Sequence, residues 1–260
     1  MQHPRPLGRH EHGQNFLTDP TVPAALAAVV AGWEPRPLLE LGAGDGALTA
    51  ALSRLPADRP RPLTAVELDP YRVARLRERF GDTVRIRRGD LVWEPLDRPV
   101  DVVSNVPFGL TTPLLRRLLG ASHWAHALLL LQWEVARKRA AVGGTTALTA
   151  RWWPWYEFRL LDRVPARAFR PVPSVDAGVL EIVRRDTPLV TGAPTPYQRL
   201  VDTVFTGRGR GVVDVVGRRY GRVTAARWAA SSGIGRRALP RDLGPAQWAD
   251  LAARVTRACR

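Results

Sequence analysis

The chain has 260 residues, 45% of them hydrophobic, and a formal net charge of +15 with an isoelectric point near 11.4. This length allows one full hydrophobic core and a small second domain. The charge predicts a polyanionic partner. Because Lys138 is the only lysine, the cations are almost all arginines, whose guanidinium groups bind phosphates in a bidentate manner. The single cysteine, Cys259, excludes a disulfide within the chain.

Two further classes of protein are disfavoured. The five histidines show no spacing with other ligands that is typical of a metal site, so we expect no metal. No apolar stretch is long and uncharged enough to cross a membrane, and the start of the chain lacks the apolar core of a signal peptide. We therefore expect a cytoplasmic protein that is not bound to a membrane.

The first informative pattern along the chain is a strand, a glycine-rich turn and a helix. Leu38–Leu41 is typical of a buried strand, Gly42–Gly46 of a turn and Ala47–Leu55 of a helix. This is the context that a nucleotide-cofactor site requires. Gly42 and Gly44 would allow the backbone to approach a ligand closely.

Acidic residues around this turn indicate which cofactor it binds. A second strand, Leu63–Val66, ends at Glu67, where an acidic residue can accept hydrogen bonds from both ribose hydroxyls. Glu40 and Asp45 place two more carboxylates at the turn. Carboxylates disfavour the pyrophosphate of a dinucleotide and favour the cationic sulfonium and ammonium groups of S-adenosylmethionine. The spacing also departs from G-x-G-x-x-G, so the sequence favours S-adenosylmethionine.

Two later strands end in the same way. Thr83–Arg87 leads to Asp90, and Val100–Ser104 leads to Asn105. Asp90 would accept a hydrogen bond from the adenine amine of the cofactor, although alone it would be interpreted as a turn aspartate. Ligands bind at the carboxyl ends of the strands in open α/β sheets. The repeated placement of acidic and amide residues therefore predicts a binding site there.

The segment Asn105–Phe108 is typical of a site that binds a flat ring and accepts hydrogen bonds from its exocyclic amine. The side-chain carbonyl of Asn105 can accept a hydrogen bond from an amino group. Pro107 favours an extended Val106, which would direct the Val106 carbonyl at the same amine. The ring of Phe108 can stack on a base. Two acceptors on one nitrogen would make its lone pair nucleophilic. The alternative interpretation of the segment is a strand-to-helix turn without a catalytic role, before a helix over Thr112–Leu119.

Four motifs occur in a diagnostic order: Gly13–Leu17, Glu40–Gly44, Asn105–Phe108 and Phe169–Val175. Together they resemble the rRNA adenine N6-methyltransferases over nearly the whole chain. That superfamily includes the small-subunit dimethyltransferases and the Erm-type macrolide-resistance enzymes. The resemblance implies an α/β fold, with a Rossmann-like seven-stranded methyltransferase sheet and a small C-terminal helical domain.

The resemblance, together with the turn described above, predicts two sets of site residues. Those expected around S-adenosylmethionine are Gln14, Asn15, Leu17, Glu40, Gly42, Gly44, Glu67, Asp90 and Asn105. Those expected around the target adenine are Asn105, Val106, Pro107, Phe108 and Phe169. Gln14, Asn15 and Leu17 would hold the methionine end of the cofactor. Phe169 would pack on the second face of the target ring; without the resemblance it would be interpreted as a loop aromatic under a proline-rich turn.

Two domains are expected, with a turn-rich boundary from Asp186 to Pro196. Residues 1–185 would form the catalytic domain, in which residues 1–20 are a basic arm leading into the cofactor pocket. Its last strands would be Ala127–Leu131 and a closing antiparallel hairpin of Phe158–Leu161 with Gly178–Val183. Residues 186–260 would form a small helical RNA-binding domain, with helices over Tyr197–Phe205, Val212–Tyr220, Thr224–Ser231 and Pro245–Ala258.

Arginine clusters and a tryptophan run complete the pattern. The clusters are Arg85–Arg88, Arg116–Arg117, Arg137–Arg139, Arg208–Arg210, Arg218–Arg219 and Arg236–Arg237. Any one of them is typical of a solvated face, but their number favours RNA binding. The run Trp152–Trp155 could stack nucleotides, but we expect it to pack in the core, because tryptophan mostly buries area.

Three functions remain open from the sequence. The favoured one is an Erm-type enzyme that methylates one adenine in the peptidyl-transferase loop of 23S rRNA, acting as a monomer before full ribosome assembly; the resemblance implies macrolide, lincosamide and streptogramin resistance. The alternatives are a small-subunit (16S) rRNA dimethyltransferase and a non-catalytic nucleic-acid-binding relative. Val204–Gly211 resembles actinobacterial Erm sequences, whereas Gly13 before Gln14 is seen in the small-subunit branch. Phe108 stands where a tyrosine is common.

Overall fold

The structure is a computed structural model that describes residues 15–56 and 61–258. The chain divides into two compact units. The first runs up to Ala136 and includes Arg159–Val183, and the second comprises Arg137–Phe158 and the residues from Arg184 onward. The segment 137–158, which the sequence places in the catalytic domain, therefore belongs to the second unit. That part of the second unit is tied internally, since the Tyr197 hydroxyl donates to the carbonyl of Ala150 at 2.8 Å.

A seven-stranded sheet forms the core of the first unit, which confirms the predicted fold class. Its strands are β2 (Leu38–Leu41), β3 (Leu63–Glu67), β4 (Arg85–Arg88), β5 (Val100–Asn105), β6 (Trp124–Gln132), β7 (Tyr156–Val164) and β9 (Ala177–Arg184). The strand order is β4-β3-β2-β5-β6-β9-β7. Strands β2 to β6 pair in parallel, and β9 pairs antiparallel with β6. Parallel strands covered on both faces are mostly hydrophobic, and β2 is wholly buried with Glu40 as its one polar residue.

A separate ribbon and several helices surround this sheet. The ribbon pairs β1 (Phe16–Leu17) antiparallel with β8 (Phe169–Arg170). The helices that begin in the first unit are α1 (Thr21–Ala31), α2 (Ala47–Leu52), α3 (Pro70–Phe80), α4 (Thr111–Gly120) and α5 (Trp133–Arg139). The sequence missed α3 because arginines dominate it, although Asp69 caps it and Pro70 occupies its first position, which is a recognisable start signal.

The second unit is helical, as the sequence predicts for its C-terminal part. Its helices are α6 (Ala147–Trp152), α7 (Pro194–Thr206), α8 (Val212–Tyr220), α9 (Arg222–Ser231) and α10 (Pro245–Ala258). Trp228 and Trp248 are fully buried in it, and the indole N–H of Trp228 donates to the carbonyl of Gln247 at 3.0 Å. Trp153 is buried and Trp152 contacts Trp155 edge to face, so the tryptophan run packs rather than faces solvent. None of the described helices is long and apolar enough to cross a membrane.

Candidate active site

A cavity of about 510 Å³ lies where β4, β3, β2 and β5 end at their carboxyl edges. It brings together these predicted residues: Asn15, Leu17, Glu40, Gly42, Gly44, Glu67, Asp90, Asn105, Val106, Pro107 and Phe108. It is also lined by residues to which the sequence analysis gave no role: Phe16, Ala43, Ala47, Leu48, Leu68, Gly89, Leu91, Gly109 and Leu110. Phe16 lies inside the motif Gly13–Leu17, so the motif itself was the available signal. Gln14 lies outside the described residues.

Gly42 and Gly44 of the turn present backbone without a side chain to the cavity. Gly42 and Gly44 have φ angles of 76° and 56°, in the left-handed region that favours glycine. A Cβ on Gly44 would approach the Phe16 ring to 3.1 Å, so a side chain there would crowd the cavity wall. The Gly42 and Ala43 amides donate to the carbonyl of Val66 at 2.8 and 3.0 Å, which fixes the turn on β3.

Glu67, the last residue of β3, holds this turn in place. One of its carboxylate oxygens accepts the Gly44 amide at 2.8 Å, and the other accepts the amides of Leu68 and Asp69, both at 2.9 Å. The carboxylate is buried yet lines the cavity. A carboxylate has about four lone-pair positions, so it can accept these three bonds and still bind a ribose hydroxyl. Glu67 thus has a structural role that the sequence did not predict.

Glu40, on β2, is the buried acid of the site. It is 1% exposed, lines the cavity, and its Oε2 atom has no hydrogen-bond partner among the described residues. Burial raises the pKa of Glu40 to about 8; the neighbouring Thr49 opposes this shift and the charge of Glu67 adds to it. A buried acceptor without a partner is costly, and a cationic ligand that donates to it would relieve that cost.

We predict that binding of S-adenosylmethionine is linked to ionisation of Glu40. At pH 7 the free protein holds this carboxyl mostly protonated, because its pKa is about 8. The cationic cofactor favours the carboxylate, so binding should release close to one proton at pH 7, and affinity should rise with pH until about 8. Titration calorimetry in buffers of different ionisation enthalpy measures the proton count. Glu40→Gln should abolish the release, and an equal release from this variant would contradict the prediction.

The same group affects stability in the opposite sense. Between its ordinary pKa of 4.5 and the folded value of about 8, the folded protein binds a proton that the unfolded chain has lost. The free energy of unfolding of the cofactor-free protein should therefore fall as pH rises through this window. Glu40→Gln should remove this decline, and urea unfolding at several pH values would measure it.

Asp45 and Asp90, the other acidic residues of the cavity wall, differ in their partners. Asp45 is predicted from the sequence to favour the cationic groups of the cofactor. It is mostly exposed and pairs with Arg72 at 3.1 Å, so much of its charge is compensated. Asp90 accepts the Val92 amide through Oδ1 at 2.8 Å, which fixes the turn that follows β4. Its position in the cavity wall makes the rest of its carboxylate the candidate acceptor for the cofactor's adenine amine.

The Asn105 side chain has a defined orientation. Its Nδ2 atom donates to the main-chain carbonyl of Asn15 at 2.9 Å. Because the amide nitrogen is engaged in this way, Oδ1 is the atom that can accept a hydrogen bond from a ligand in the cavity. The role of Asn105 as an acceptor for an exocyclic amine stays a prediction, and this orientation is the geometry that it requires.

The residues after Asn105 are held equally well. The Val106 amide donates to the carbonyl of Leu130 at 3.1 Å, which anchors the segment to β6. The Pro107 carbonyl accepts the Leu110 amide at 2.8 Å and begins a short 3-10 turn over Phe108–Leu110. Phe108 is half-buried and lines the cavity, where its ring is available for stacking.

Phe169 lies elsewhere than the sequence predicts. It does not line the cavity, is 1% exposed, and packs into the hydrophobic core of the first unit. Its backbone pairs with Leu17 in the ribbon, next to the segment whose Asn15 carbonyl orients Asn105. The structure therefore does not support a contact between Phe169 and the target ring, because the ribbon directs its side chain into the core.

The cavity fits S-adenosylmethionine and not a pyrophosphate cofactor. The unpartnered oxygen of Glu40 suits a cationic group, and the glycine turn exposes backbone to the ligand. Glu67 and Asp90 supply acceptors at the ends of the next two strands. In the described ranges no group of three or more His, Cys, Asp and Glu residues could hold a metal ion.

Comparisons with known proteins show the family of the chain. The family model for ribosomal RNA adenine dimethylase matches residues 6–257. The mycinamicin-resistance protein MyrB of Micromonospora griseorubida is 51% identical over 246 residues, which cover 94% of this chain and 78% of that protein. An rRNA adenine N-6-methyltransferase of Corynebacterium diphtheriae is 43% identical over 215 residues, covering 82% and 83%.

A solved structure is also similar over nearly the full length. The crystal structure of the 23S rRNA methyltransferase ErmE superimposes with a TM-score of 0.84 at 32% identity. The match covers 93% of this chain and 100% of that one. The family match, the identity to these relatives and the shared fold lead to one conclusion. The chain belongs to the ribosomal RNA adenine dimethylase family of S-adenosylmethionine-dependent methyltransferases.

Proposed function

We propose that this enzyme transfers a methyl group from S-adenosylmethionine to N6 of a single adenine in the peptidyl-transferase loop of 23S rRNA. The product would confer macrolide, lincosamide and streptogramin resistance. The observation that carries the chemistry is the Asn105 amide, whose Nδ2 is engaged by Asn15 so that its oxygen is left for the target amine. The choice of 23S rRNA is supported by the similarity to MyrB, named for mycinamicin resistance, and to ErmE, a 23S rRNA methyltransferase.

Binding and orientation account for most of the catalysis in this proposal. S-adenosylmethionine supplies an activated methyl group on a positively charged sulfur. Asn105 Oδ1 and the Val106 carbonyl accept hydrogen bonds from N6, which directs its lone pair towards the methyl group, and Phe108 stacks on the ring. Placing the amine in line provides much of the acceleration. The protein needs no catalytic base, since the amine can lose its proton to water after attack.

The state of the RNA follows from the cavity. A base inside a duplex cannot reach this cavity, so the target adenine must be unstacked or already single-stranded. An unpaired target is accessible before full ribosome assembly, and we propose that a monomer acts on 23S rRNA at that stage, in the cytoplasm. Methylation of protein-free rRNA, compared with intact large subunits, distinguishes these substrates.

A direct assay tests the proposed function against the 16S alternative. Purified large-subunit and small-subunit rRNA are each incubated with the enzyme and S-adenosylmethionine, and modified adenines are mapped by primer extension. We expect one modified position in the peptidyl-transferase loop and none in 16S rRNA. Modification of 16S rRNA alone would overturn the proposal in favour of the small-subunit activity, and no methylation of either RNA would favour the non-catalytic relative.

The loop between α7 and α8 is proposed to bind the RNA. Arg208 and Arg210 are exposed in it. A Cβ on Gly209 would lie 2.9 Å from the Val215 side chain, so the loop packs closely on α8 and can carry no larger residue there. The Arg210 amide donates to Asp214, and this bond, with the Arg218 ion pair, holds the pKa of Asp214 below its usual range. The loop is thus fixed while its arginines point to solvent.

Not every predicted arginine cluster is equally exposed. Arg139 is half-buried and donates to the Thr146 hydroxyl at 2.7 Å, so it contributes to packing within the second unit. Exposed arginines occur in the other clusters, including Arg85, Arg88, Arg116, Arg117, Arg218, Arg219, Arg236 and Arg237. Charge on both units is consistent with the predicted polyanionic partner.

Replacing Arg208 and Arg210 together with glutamine should weaken RNA binding and leave S-adenosylmethionine binding intact. Each lost phosphate contact lowers the slope of log affinity against log salt by about 0.7–0.9. Binding of 23S rRNA fragments over a range of salt concentrations measures this slope. A matched control replaces Arg222 and Arg227, both exposed on α9. If the loop variant keeps the wild-type slope, its arginines are not in the interface.

A further inference from the structure

Trp93 differs from every other tryptophan of the protein. All nine tryptophans lie in the described part of the chain, and the other eight are buried or half-buried. Trp93 is 76% exposed. An exposed indole leaves a large apolar surface in contact with water, and burying that surface against a partner would stabilise the complex. The proposed chemistry gives Trp93 no role.

The backbone around Trp93 is fixed. The Trp93 and Glu94 amides donate to the Asp90 carbonyl at 3.1 and 2.9 Å, and the side chain of Asp90 accepts the Val92 amide. On either side of the tryptophan, Glu94 is buried and Leu91 lines the cavity. The exposed ring is therefore displayed by an ordered turn, which lowers the entropy cost of binding a partner.

Arginines of β4 precede this turn, and one of them is paired with an acid of the turn. Arg87 pairs with Glu94, the neighbour of Trp93, at 2.6 Å. Arg88 is exposed, and its Nε donates at 3.4 Å to the carbonyl of Leu68, a residue of the cavity wall. Arg85 is exposed on the same strand. An exposed aromatic ring combined with exposed arginines on the preceding strand is a combination by which proteins bind unpaired nucleotides, since bases stack on the ring and arginines neutralise phosphates.

We propose that Trp93 is a stacking platform for an unpaired nucleotide of the RNA substrate, other than the target adenine, with Arg88 contacting its backbone. The inference rests on the proposed function in that it takes rRNA as the partner. The turn that carries Trp93 begins at Asp90, the residue proposed to bind the cofactor's adenine. The platform therefore lies at the rim of the cofactor end of the cavity, and it extends the RNA footprint beyond the Asn105–Phe108 segment.

The test separates stacking from charge. The probe is a transcribed 23S rRNA fragment that contains the peptidyl-transferase loop, and its affinity is measured at several salt concentrations. Trp93→Ala should weaken binding by about 5- to 150-fold, which is roughly 1–3 kcal/mol per stacked base. Its salt slope should not change, because no charge is lost. Trp93→Phe should retain most of the affinity, whereas Arg88→Gln should reduce the slope by about 0.7–0.9.

Two controls make the result decisive. Val223→Ala removes an apolar side chain that is 65% exposed on α9, and it should leave the affinity for the fragment unchanged. S-adenosylmethionine affinity should be the same in Trp93→Ala and wild type. If Trp93→Ala binds the RNA fragment as tightly as the wild type does, and the wild type methylates rRNA, the stacking platform is wrong and the proposed function stands. Loss of cofactor affinity in Trp93→Ala would also overturn it, because the effect would then act through the Asp90 turn. A wild type that methylates no rRNA would instead remove the proposed function.

Discussion

Asn105→Ala should lower turnover by about 100- to 1,000-fold, the range for removing one group from a preorganised electrostatic site. The variant loses the oxygen that accepts a hydrogen bond from N6. RNA affinity should change little, because phosphate contacts elsewhere position the RNA. The measurement is tritiated methyl transfer to protein-free 23S rRNA with the cofactor saturating. Cofactor affinity must be measured separately, since Asn105 is also predicted to contact the cofactor.

Variants of Phe108 provide the matched comparison within the same segment. Phe108→Tyr keeps the stacking face and should stay active, whereas Phe108→Ala should lose most activity. If Asn105→Ala methylates at the wild-type rate, the amine-acceptor role is wrong and the segment is a structural turn. Asn105→Asp is a useful third variant. It keeps an oxygen for N6 but places a second acceptor against the Asn15 carbonyl, so it should also be impaired.

Glu67→Ala should affect both cofactor affinity and stability. It removes the predicted ribose acceptor, and a lost hydrogen bond to a charged group is worth roughly 1.5–3 kcal/mol, or about a 10- to 150-fold weaker affinity. It also leaves the amides of Gly44, Leu68 and Asp69 without their acceptor. The Gly44 and Asp69 bonds are buried, and each buried unsatisfied donor costs about 1–3 kcal/mol, so the variant should be several kcal/mol less stable. Calorimetry and urea unfolding measure the two effects.

Glu67→Gln separates the two roles. Glutamine keeps one carbonyl oxygen and most of the volume, so it should retain more stability than alanine while still weakening ribose binding. If Glu67→Ala binds S-adenosylmethionine with wild-type affinity, Glu67 is not a ribose ligand. If its unfolding free energy is unchanged, the backbone role is wrong, because three donors would have lost their acceptor without cost.

The central sheet and most of the cavity could be predicted because their signals are local. Short, mostly apolar runs such as Leu38–Leu41 mark strands buried on both faces, and a glycine, acidic or amide residue at or after the end of each run marks its carboxyl end. The C-terminal helices showed apolar residues at helical spacing, and α8 and α10 have the predicted bounds. The identity of the cofactor followed from the carboxyl groups of Glu40 and Asp45 at the turn, which favour a cationic ligand over a pyrophosphate.

The features that were missed depend on residues far apart in the chain. The ribbon joins two-residue strands about 150 positions apart, and no local pattern predicts so short a pairing. The same pairing turns Phe169 into the core, so a residue that looked like a ring contact becomes a packing residue. The Asp45–Arg72 ion pair and the amides bound by Glu67 likewise appear only once the turn is folded against β3.

The hydrogen bond from Asn105 to the Asn15 carbonyl also determines which base the site can accept. With one Nδ2 hydrogen donated to Asn15, the amide is held in one orientation, and its oxygen is the atom proposed to face position 6 of a purine. Adenine carries an amino group there, which donates. Guanine and hypoxanthine carry a carbonyl there, which would face the Asn105 oxygen and leave two acceptors in repulsion. Discrimination against these purines is thus set by a main-chain carbonyl that need not touch the base.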